Sequence, residues 1–112
     1  MRRLALLAAA GLFLSACTPR QAIDAIFTGS DNATAHRIVA CESGYDPNAV
    51  SPTGDHGTFQ INAATWNKPG HPDPVADWIG RNWHRRYDPV VNTLMAKKIR
   101  DAYGWRMWAC AR

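Results

Sequence analysis

Apolar positions in the second half of the chain repeat with the period of an α-helix. The repeat is preceded by Asp88-Pro89, an N-cap residue followed by a proline suited to the first helical turn. Gly104, a residue typical of helix ends, follows the repeat. The pattern therefore predicts a helix from Pro89 to just before Gly104. Its apolar positions are Val91, Leu94, Met95, Ile99 and Ala102.

A second apolar stripe, earlier in the chain, contains a charged residue. Ile38 and Val39 lie on one face of a helix that we expect to begin within residues 31–34 and to end at Gly44. Glu42 continues the same face. A carboxylate on a core-facing stripe is costly unless something uses it. Glu42 is therefore the first candidate for chemistry.

The region between these two helices is rich in turn-forming residues. Residues 46–55 contain two proline turns, and residues 58–61 alternate in polarity, which predicts a short strand or extended segment. Asn62 can cap a short helix that holds Trp66, and a further helical piece is expected over residues 75–79. Together these elements predict an α+β, mainly helical fold in a small single domain.

The start of the chain has the pattern of an export signal. Two arginines precede an apolar run over residues 4–14, which is too short to favour a retained membrane-spanning helix. The run ends in Leu-Ser-Ala-Cys, which resembles a bacterial lipobox and implies a diacylglyceryl anchor on Cys17. Ordinary signal cleavage is the alternative. We therefore expect a signal peptide over residues 1–16 and a lipid-anchored, flexible or partly helical linker over residues 17–33.

The three cysteines suggest one disulfide. If Cys17 carries lipid, Cys41 and Cys110 remain as one possible pair in an oxidising compartment. Such a bridge closes a loop of about 70 residues and stabilises the fold by roughly 4 kcal/mol in the chain-entropy model. It would also hold the C-terminal segment against the residue that precedes Glu42. The alternative is that both thiols are buried, small apolar side chains.

Charge and composition exclude several classes of function. The formal net charge of +4 includes Arg2 and Arg3 of the predicted signal, so the remaining charge is too small to indicate nucleic-acid binding. The four histidines fit no zinc motif, and residues 46–57 lack the alternating oxygen ligands of a calcium loop. We expect a monomer that uses no metal and no cofactor.

Residues 42–61 resemble a known family. Their sequence, ESGYDPNAVSPTGDHGTFQI, matches without a gap the pattern ES-x-x-x-P-x-A-x-S-x-x-G-x-x-G-x-x-Q-I of the lysozyme-like soluble lytic transglycosylases. A weaker likeness extends over most of residues 34–112. The resemblance implies a lysozyme-like fold for residues 34–112 and cleavage of the β-1,4 bond between N-acetylmuramic acid and N-acetylglucosamine in peptidoglycan. It also implies peptidoglycan glycan strands as the partner and the cell envelope, facing the periplasm or extracellular space, as the location.

The same resemblance implies that Glu42 is the general acid. A glycosidic oxygen is a poor leaving group unless it is protonated. A glutamate half-buried against Ile38 and Val39 would have a raised pKa and could donate that proton near neutral pH. The alternative is a structural glutamate paired with His36 or with an arginine.

Asp55 departs from the transglycosylase pattern, in which a small residue is usual. Residues 55–62, DHGTFQIN, resemble the DYG-x-x-QIN segment of animal-type lysozymes, whose aspartate is the second catalytic carboxylate. Two suitably spaced acids permit hydrolysis, whereas a lone acid leaves the muramyl 6-hydroxyl to form a 1,6-anhydro product. Because residues 42–61 match the transglycosylase pattern, a lytic transglycosylase is the main hypothesis. The alternatives are a hydrolytic lysozyme that uses Asp55, a mere turn role for this residue, and a non-catalytic glycan-binding envelope lipoprotein.

Further polar residues are candidates for substrate contact. Ser43 can hold the catalytic carboxylate or the backbone, and Gln60 can offer its amide to an N-acetyl group. The downstream cleft motif of the family is not evident in this sequence, which leaves a tyrosine and an asparagine as stand-ins. The candidates are Ser43, Gln60, Asn62, Tyr87 and Asn92.

Overall fold

The structure of the chain is a computed structural model that describes residues 17–70 and 73–112. These residues form a mainly helical domain, which confirms the predicted fold class. The α-helices are α1 (Pro19–Ile26), α2 (Ser30–Glu42), α3 (Ala63–Trp66), α4 (Pro74–Arg81) and α5 (Pro89–Tyr103). Short 3-10 turns lie at Trp83–Arg85, Trp105–Met107 and Ala109–Ala111.

Helix α5 follows its sequence pattern. The Asp88 carboxylate accepts a hydrogen bond of 2.9 Å from the backbone N–H of Val90 and so caps the first turn. Gly104, with a φ of 79°, ends the helix. Met95 and Ile99 are buried in the core, and the helix packs against both α1 and α4. Because α5 contacts both helices, it is the central element of the core.

Helix α2 ends at the residue singled out by the sequence. It begins at Ser30, slightly before the predicted start, and its last helical residue is Glu42. Ile38 and Val39 are fully buried on the predicted face. The backbone N–H of Gly44 donates to the Val39 carbonyl at 3.1 Å, and its φ of 60° gives the left-handed turn that favours glycine after a helix.

The segment predicted as a linker belongs instead to the packed domain. A reciprocal capping box begins α1, because the Thr18 and Gln21 side chains each bond the other residue's backbone N–H. Ile23 and Phe27 are 0% and 2% exposed and lie in the same core as α2 and α5. Their burial depends on partners far along the chain, which local composition does not reveal. The folded part therefore begins near Thr18, and the expected linker over residues 17–33 is corrected.

The predicted strand over residues 58–61 is reduced to isolated antiparallel bridges. His56 and Ile61 exchange two backbone hydrogen bonds, of 3.1 and 3.0 Å. The chain turns tightly between them, since Gly57 and Gln60 have φ values of 77° and 52°. This left-handed backbone is incompatible with an extended strand.

Asn92 of α5 holds this turn against the core. Its Oδ1 accepts from the backbone N–H of Phe59 at 2.8 Å, and its Nδ2 donates to the carbonyls of His56 and Arg86 at 3.1 and 3.0 Å. Gly57 lies directly against this amide, and an added Cβ would be only 2.6 Å from Nδ2. The close approach therefore requires glycine at this position.

A disulfide between Cys41 and Cys110 fixes the C-terminal segment to α2, with 6.0 Å between the two Cα atoms. This confirms the pairing that the cysteine count suggested. Trp108 adds a second attachment, because its buried indole N–H donates to the Phe59 carbonyl at 2.8 Å. The last residues of the chain are thus held beside Glu42.

The predicted signal peptide over residues 1–16 lies outside the described residues. Cys17, at the start of the described part, is a free, half-buried cysteine. Among the described helices, none combines the length and the apolar composition needed to cross a membrane.

Candidate active site

A cleft of about 200 Å³ lies between the end of α2, the turn over residues 55–62 and the C-terminal segment. Four of the residues that the sequence singled out line it together: Glu42, Asp55, Gln60 and Asn62. The structure therefore brings both predicted acids into one concave site. The C-terminal side of the cleft includes Trp108 and Arg112.

Glu42 is the only glutamate of the sequence, and its side chain is half-buried in this cleft. The backbone N–H of Cys110 donates to its Oε2 at 3.4 Å. Burial raises the pKa of Glu42 above the ordinary value for a glutamate, the hydrogen bond from Cys110 opposes this, and the charge of Asp55 raises the pKa further. A carboxyl group that keeps its proton to higher pH is suited to act as a general acid.

His36, the residue considered as a structural partner of Glu42, is engaged elsewhere. Its Nε2 lies 2.7 Å from the carboxylate of Asp24, and its Nδ1 lies 3.0 Å from the Tyr45 hydroxyl. These contacts join α1 to α2 and leave Glu42 facing the cleft. Within residues 17–70 and 73–112, no cluster of three or more histidine, cysteine, aspartate or glutamate residues is arranged to hold a metal ion.

Asp55 is held in place by three hydrogen-bond donors. Its Oδ2 accepts from the hydroxyls of Ser51 and Thr53 at 2.9 and 3.0 Å, and its Oδ1 accepts from the Asn62 amide at 3.5 Å. Its own backbone N–H donates to the Ser51 hydroxyl at 3.0 Å. Asp55 is therefore both a turn residue and a member of the cleft wall. The hydrogen bonds fix its carboxylate in the site that contains Glu42.

Ser43 and Gln60 make backbone contacts that shape the cleft. The Ser43 hydroxyl donates to the carbonyl of Thr58 at 2.7 Å and so ties the end of α2 to the turn. The amide nitrogen of Gln60 donates to the carbonyls of Ala49 and Gly57, both at 3.0 Å. Both amide hydrogens of Gln60 are thus used within the loop. Its amide oxygen is the part of the side chain suited to meet a donor on a ligand.

Tyr87 and Asn92 lie outside the cleft wall. The Tyr87 hydroxyl is 2.7 Å from Nδ1 of His56, whose ring also packs edge-on against Trp83. Burial, followed by the charge of Arg86, lowers the pKa of His56, which favours a neutral ring near pH 7. Asn92 is fully buried, so this structure gives no support to direct substrate contact by it. Both residues support the turn that contains Asp55 from behind.

The C-terminal wall of the cleft is the part that sequence patterns do not identify. No motif marks these residues, and a tryptophan beside a cysteine near the chain end suggests only packing. The one usable signal is the Cys41–Cys110 pairing, because it places the neighbours of Cys110 beside Glu42. The wall consists of Met107, Trp108, Ala109 and Arg112.

A half-buried acid with a raised pKa, a second carboxylate and an open cleft define a glycosidase-like site on a small helical domain. The family model of the transglycosylase SLT domain matches residues 26–103. This is well over half of the chain, so the chain belongs to the transglycosylase SLT domain family. The match includes both acids and ends before Cys110 and Arg112. Neither the curated proteins nor the solved structures include a match to this chain.

Membership of this family defines the general role of the protein. Its domain is of the type that cleaves peptidoglycan, binds peptidoglycan glycan strands and acts in the cell envelope. The resemblance noted for residues 42–61 is therefore confirmed at the level of the family.

Proposed function

We propose that this protein is a lytic transglycosylase that cleaves the β-1,4 bond between N-acetylmuramic acid and N-acetylglucosamine, with Glu42 as the general acid. The observation that carries this proposal is the position of Glu42, at the end of α2 and half-buried in the cleft, with its pKa raised by burial. The family assignment supports peptidoglycan as the substrate. The position of the side chain supports its role in the chemistry.

In the proposed reaction, Glu42 donates its proton to the glycosidic oxygen as the bond from that oxygen to C1 of the muramyl residue breaks. The leaving N-acetylglucosamine keeps a 4-hydroxyl, and positive charge develops at C1. The muramyl 6-hydroxyl then attacks C1 and returns its proton to the Glu42 carboxylate. The product has a 1,6-anhydro ring, and no water is consumed.

Asp55 has a supporting role in this scheme. Its carboxylate, held by Ser51, Thr53 and Asn62, would stabilise the positive charge that develops at C1. Asp55 also raises the pKa of Glu42, which favours the protonated acid before the reaction begins.

A hydrolytic lysozyme is the second candidate, and the presence of Asp55 in the same cleft favours it. In that reaction a water molecule adds to C1, and the product has a reducing end instead of an anhydro ring. Asp55 would take the proton from that water or stabilise the charge at C1. Product analysis separates the two reactions, because the anhydro product is lighter by one water molecule.

For the remaining site residues we propose two kinds of role. Gln60 and Asn62 line the cleft and would contact the glycan, with the Gln60 amide oxygen accepting from an N-acetyl N–H. Ser43, Tyr87 and Asn92 would act indirectly, because their hydrogen bonds hold the turn that carries the cleft residues.

For the location we propose export through residues 1–16, lipid attachment at Cys17 and action as a monomer. The support is the lipobox-like sequence together with the envelope role of the family. Fractionation of cells that express the wild type or Cys17→Ser tests the anchor. The wild type is expected with the membranes and the serine variant in the soluble fraction, and equal distribution of both would contradict lipid attachment.

Digestion of purified peptidoglycan followed by mass analysis tests the activity. The wild type is expected to release muropeptides with anhydro ends, and Glu42→Gln is expected to release none. Asp46→Asn is a matched control, because Asp46 is an exposed acid of the same loop that does not line the cleft. Equal release by the wild type and Glu42→Gln would contradict the role of Glu42, and no release by the wild type would favour a glycan-binding protein without catalysis.

A further inference from the structure

The cleft wall contains two acidic residues, Glu42 and Asp55, and one cation, Arg112. Arg112 is exposed, and its guanidinium forms no ion pair or hydrogen bond with another residue in the described part of the chain. Other cations are neutralised in the fold: Arg100 pairs with Asp31 and Asp101, and Lys98 pairs with Asp73. Arg112 is therefore a cation at the proposed active site that the fold itself does not use.

The backbone of Arg112 is nevertheless held in place. Its N–H donates to the carbonyl of Ala109 at 3.2 Å and so closes the last 3-10 turn. Cys110, two residues before it, is bonded to Cys41, the neighbour of Glu42. The backbone that carries the Arg112 side chain is thus fixed relative to the general acid. A side chain that positions a charged group of the substrate needs such a fixed backbone.

We propose that Arg112 is a substrate-binding residue that pairs with a carboxylate of the peptidoglycan strand and selects muramyl glycans over neutral amino-sugar polymers. This inference rests on the proposed function. A guanidinium presents two parallel N–H groups that match the two oxygens of a carboxylate. A polymer of N-acetylglucosamine offers no such partner, because it carries no charge.

Each N-acetylmuramic acid, in contrast, carries a lactyl ether. On a strand without peptides the lactyl carboxylate is free, and on a strand with stem peptides it is an amide and the peptide supplies carboxylates of its own. Both sources present the same chemistry to Arg112. The charge of Asp55 in the same cleft would repel either of them, and the guanidinium offsets that repulsion.

Binding to Glu42→Gln tests the inference, because this variant should hold the glycan without cleaving it. Calorimetric titration would use four tetrasaccharide probes: muramyl with a free lactyl carboxylate, its lactyl amide, muramyl with stem peptides, and tetra-N-acetylchitotetraose. We expect Arg112→Ala to weaken the binding of a carboxylate-bearing probe by about fivefold to tenfold, the effect of one partly solvated ion pair with charge-assisted hydrogen bonds. The amide and chitotetraose should change less than twofold.

The two muramyl probes that carry a carboxylate, one with a free lactyl group and one with stem peptides, identify the source of the carboxylate. A loss confined to the free lactyl probe assigns Arg112 to stripped strands, and a loss confined to the peptide-bearing probe assigns it to stem peptides. Arg112→Lys should recover part of the affinity, since it keeps the charge and loses the bidentate geometry. Arg106→Ala is the matched control, because Arg106 is an exposed arginine of the same segment that does not line the cleft.

Kinetics with otherwise wild-type enzyme provides the second readout. Arg112→Ala should lower kcat/KM for the carboxylate-bearing muramyl substrate by about fivefold to tenfold more than for the uncharged lactyl amide. Most of this loss should be a rise in KM. Unchanged discrimination in kcat/KM, or equal losses for charged and neutral substrates, overturns the role of Arg112. Failure of the proposed function is a separate outcome, namely peptidoglycan cleavage by Glu42→Gln at the wild-type rate.

Discussion

The backbone N–H of Cys110 donates to Oε2 of Glu42 at 3.4 Å, although 68 positions separate the two residues in sequence. The contact exists because Cys110 is bonded to Cys41, the residue immediately before Glu42. A donor at this position favours the charged carboxylate, whereas burial favours the neutral one. Burial has the larger effect on the pKa of Glu42, so the acid remains easier to protonate than an ordinary glutamate.

The first prediction is that Glu42→Gln loses activity without losing stability. General acid catalysis contributes about 10²- to 10⁴-fold, so cleavage of peptidoglycan should fall by at least about 10²-fold. Because burial disfavours the charged form of Glu42, a neutral amide should unfold at the same temperature or higher at pH 7. Turbidity clearing and thermal unfolding measure the two effects. A large fall in Tm would instead indicate that Glu42 is a structural residue.

The second prediction concerns pH. Since Glu42 is the only glutamate, a chain labelled with ¹³C-glutamate gives one side-chain carboxyl signal, and its titration by NMR reports this pKa directly. We expect a pKa above the ordinary value, and a lower one in Asp55→Asn because the charge of Asp55 raises it. The rate that depends on protonated Glu42 should fall as the pH rises through the same pKa.

The raised pKa of Glu42 also determines how the stability of the fold changes with pH. At a pH below the pKa of Glu42 in the unfolded chain, the folded and the unfolded state both hold the proton. In that range the ionisation of Glu42 does not change the free energy of unfolding. As the pH rises above that value, the unfolded state releases its proton first, so the free energy of unfolding falls until the raised pKa of the folded state is passed. Glu42→Gln should remove this part of the pH dependence. An identical pH profile of stability in both proteins would contradict the raised pKa.

The third prediction separates the lyase from the hydrolase. In a lytic transglycosylase, Asp55→Asn should keep anhydro products and slow their formation, because Asp55 supports the charge at C1 and takes no part in the proton transfer. In a lysozyme whose Asp55 takes the proton from water, the same change should lower the formation of reducing ends by about 10²-fold or more, since it removes a reacting group. Mass analysis of products and initial rates decide between them. Asp46→Asn should leave both quantities unchanged.

The fourth prediction concerns the disulfide. Replacing Cys41 and Cys110 together by alanine should cost roughly 4 kcal/mol, the chain-entropy value for a loop of this length. For a domain of this size that corresponds to a fall in Tm of about 15–30 °C. Thermal unfolding with and without reductant measures it, and only the wild type should respond to the reductant. Equal Tm values for reduced and oxidised wild type would contradict a stabilising bridge.

The fifth prediction uses two glycines with nearly the same backbone. Gly57 and Gly54 have φ values of 77° and 80°, but an added Cβ meets Asn92 and the Arg86 carbonyl at 2.6 and 2.7 Å only at Gly57. Gly54→Ala should cost about 1 kcal/mol for strain alone, and Gly57→Ala about 3 kcal/mol or more because the amide of Asn92 must also move. Denaturant unfolding compares them, and equal costs would contradict the packing of Gly57 against Asn92.

Some elements of this fold were predictable because the information is local. The limits of α5 follow from Asp88-Pro89 and Gly104, and the place of Glu42 follows from one helical stripe. The turn before α3 is harder to predict from sequence, because the left-handed backbone at Gln60 interrupts a segment whose alternating polarity predicts a strand.

The remaining features depend on contacts that are distant in sequence. Ile23 and Phe27 look like isolated apolar residues until α5 covers them, so α1 resembled a linker. Arg112 lines the cleft because Cys110 is bonded to Cys41 and Trp108 is hydrogen-bonded to Phe59, two contacts that are distant in sequence. The sequence suggests Asn92 as a substrate contact, and its burial as a support for the turn is visible only in three dimensions.

The early start of α1 leaves little chain between Cys17, the proposed lipid site, and the folded domain. Only Thr18 separates Cys17 from Pro19, the first residue of a helix packed into the core. A single extended residue spans about 3.5 Å, so a chain anchored by lipid at Cys17 would have almost no flexible linker between the anchor and the folded domain. With the proposed lipid at Cys17, the domain would therefore lie close to the bilayer surface.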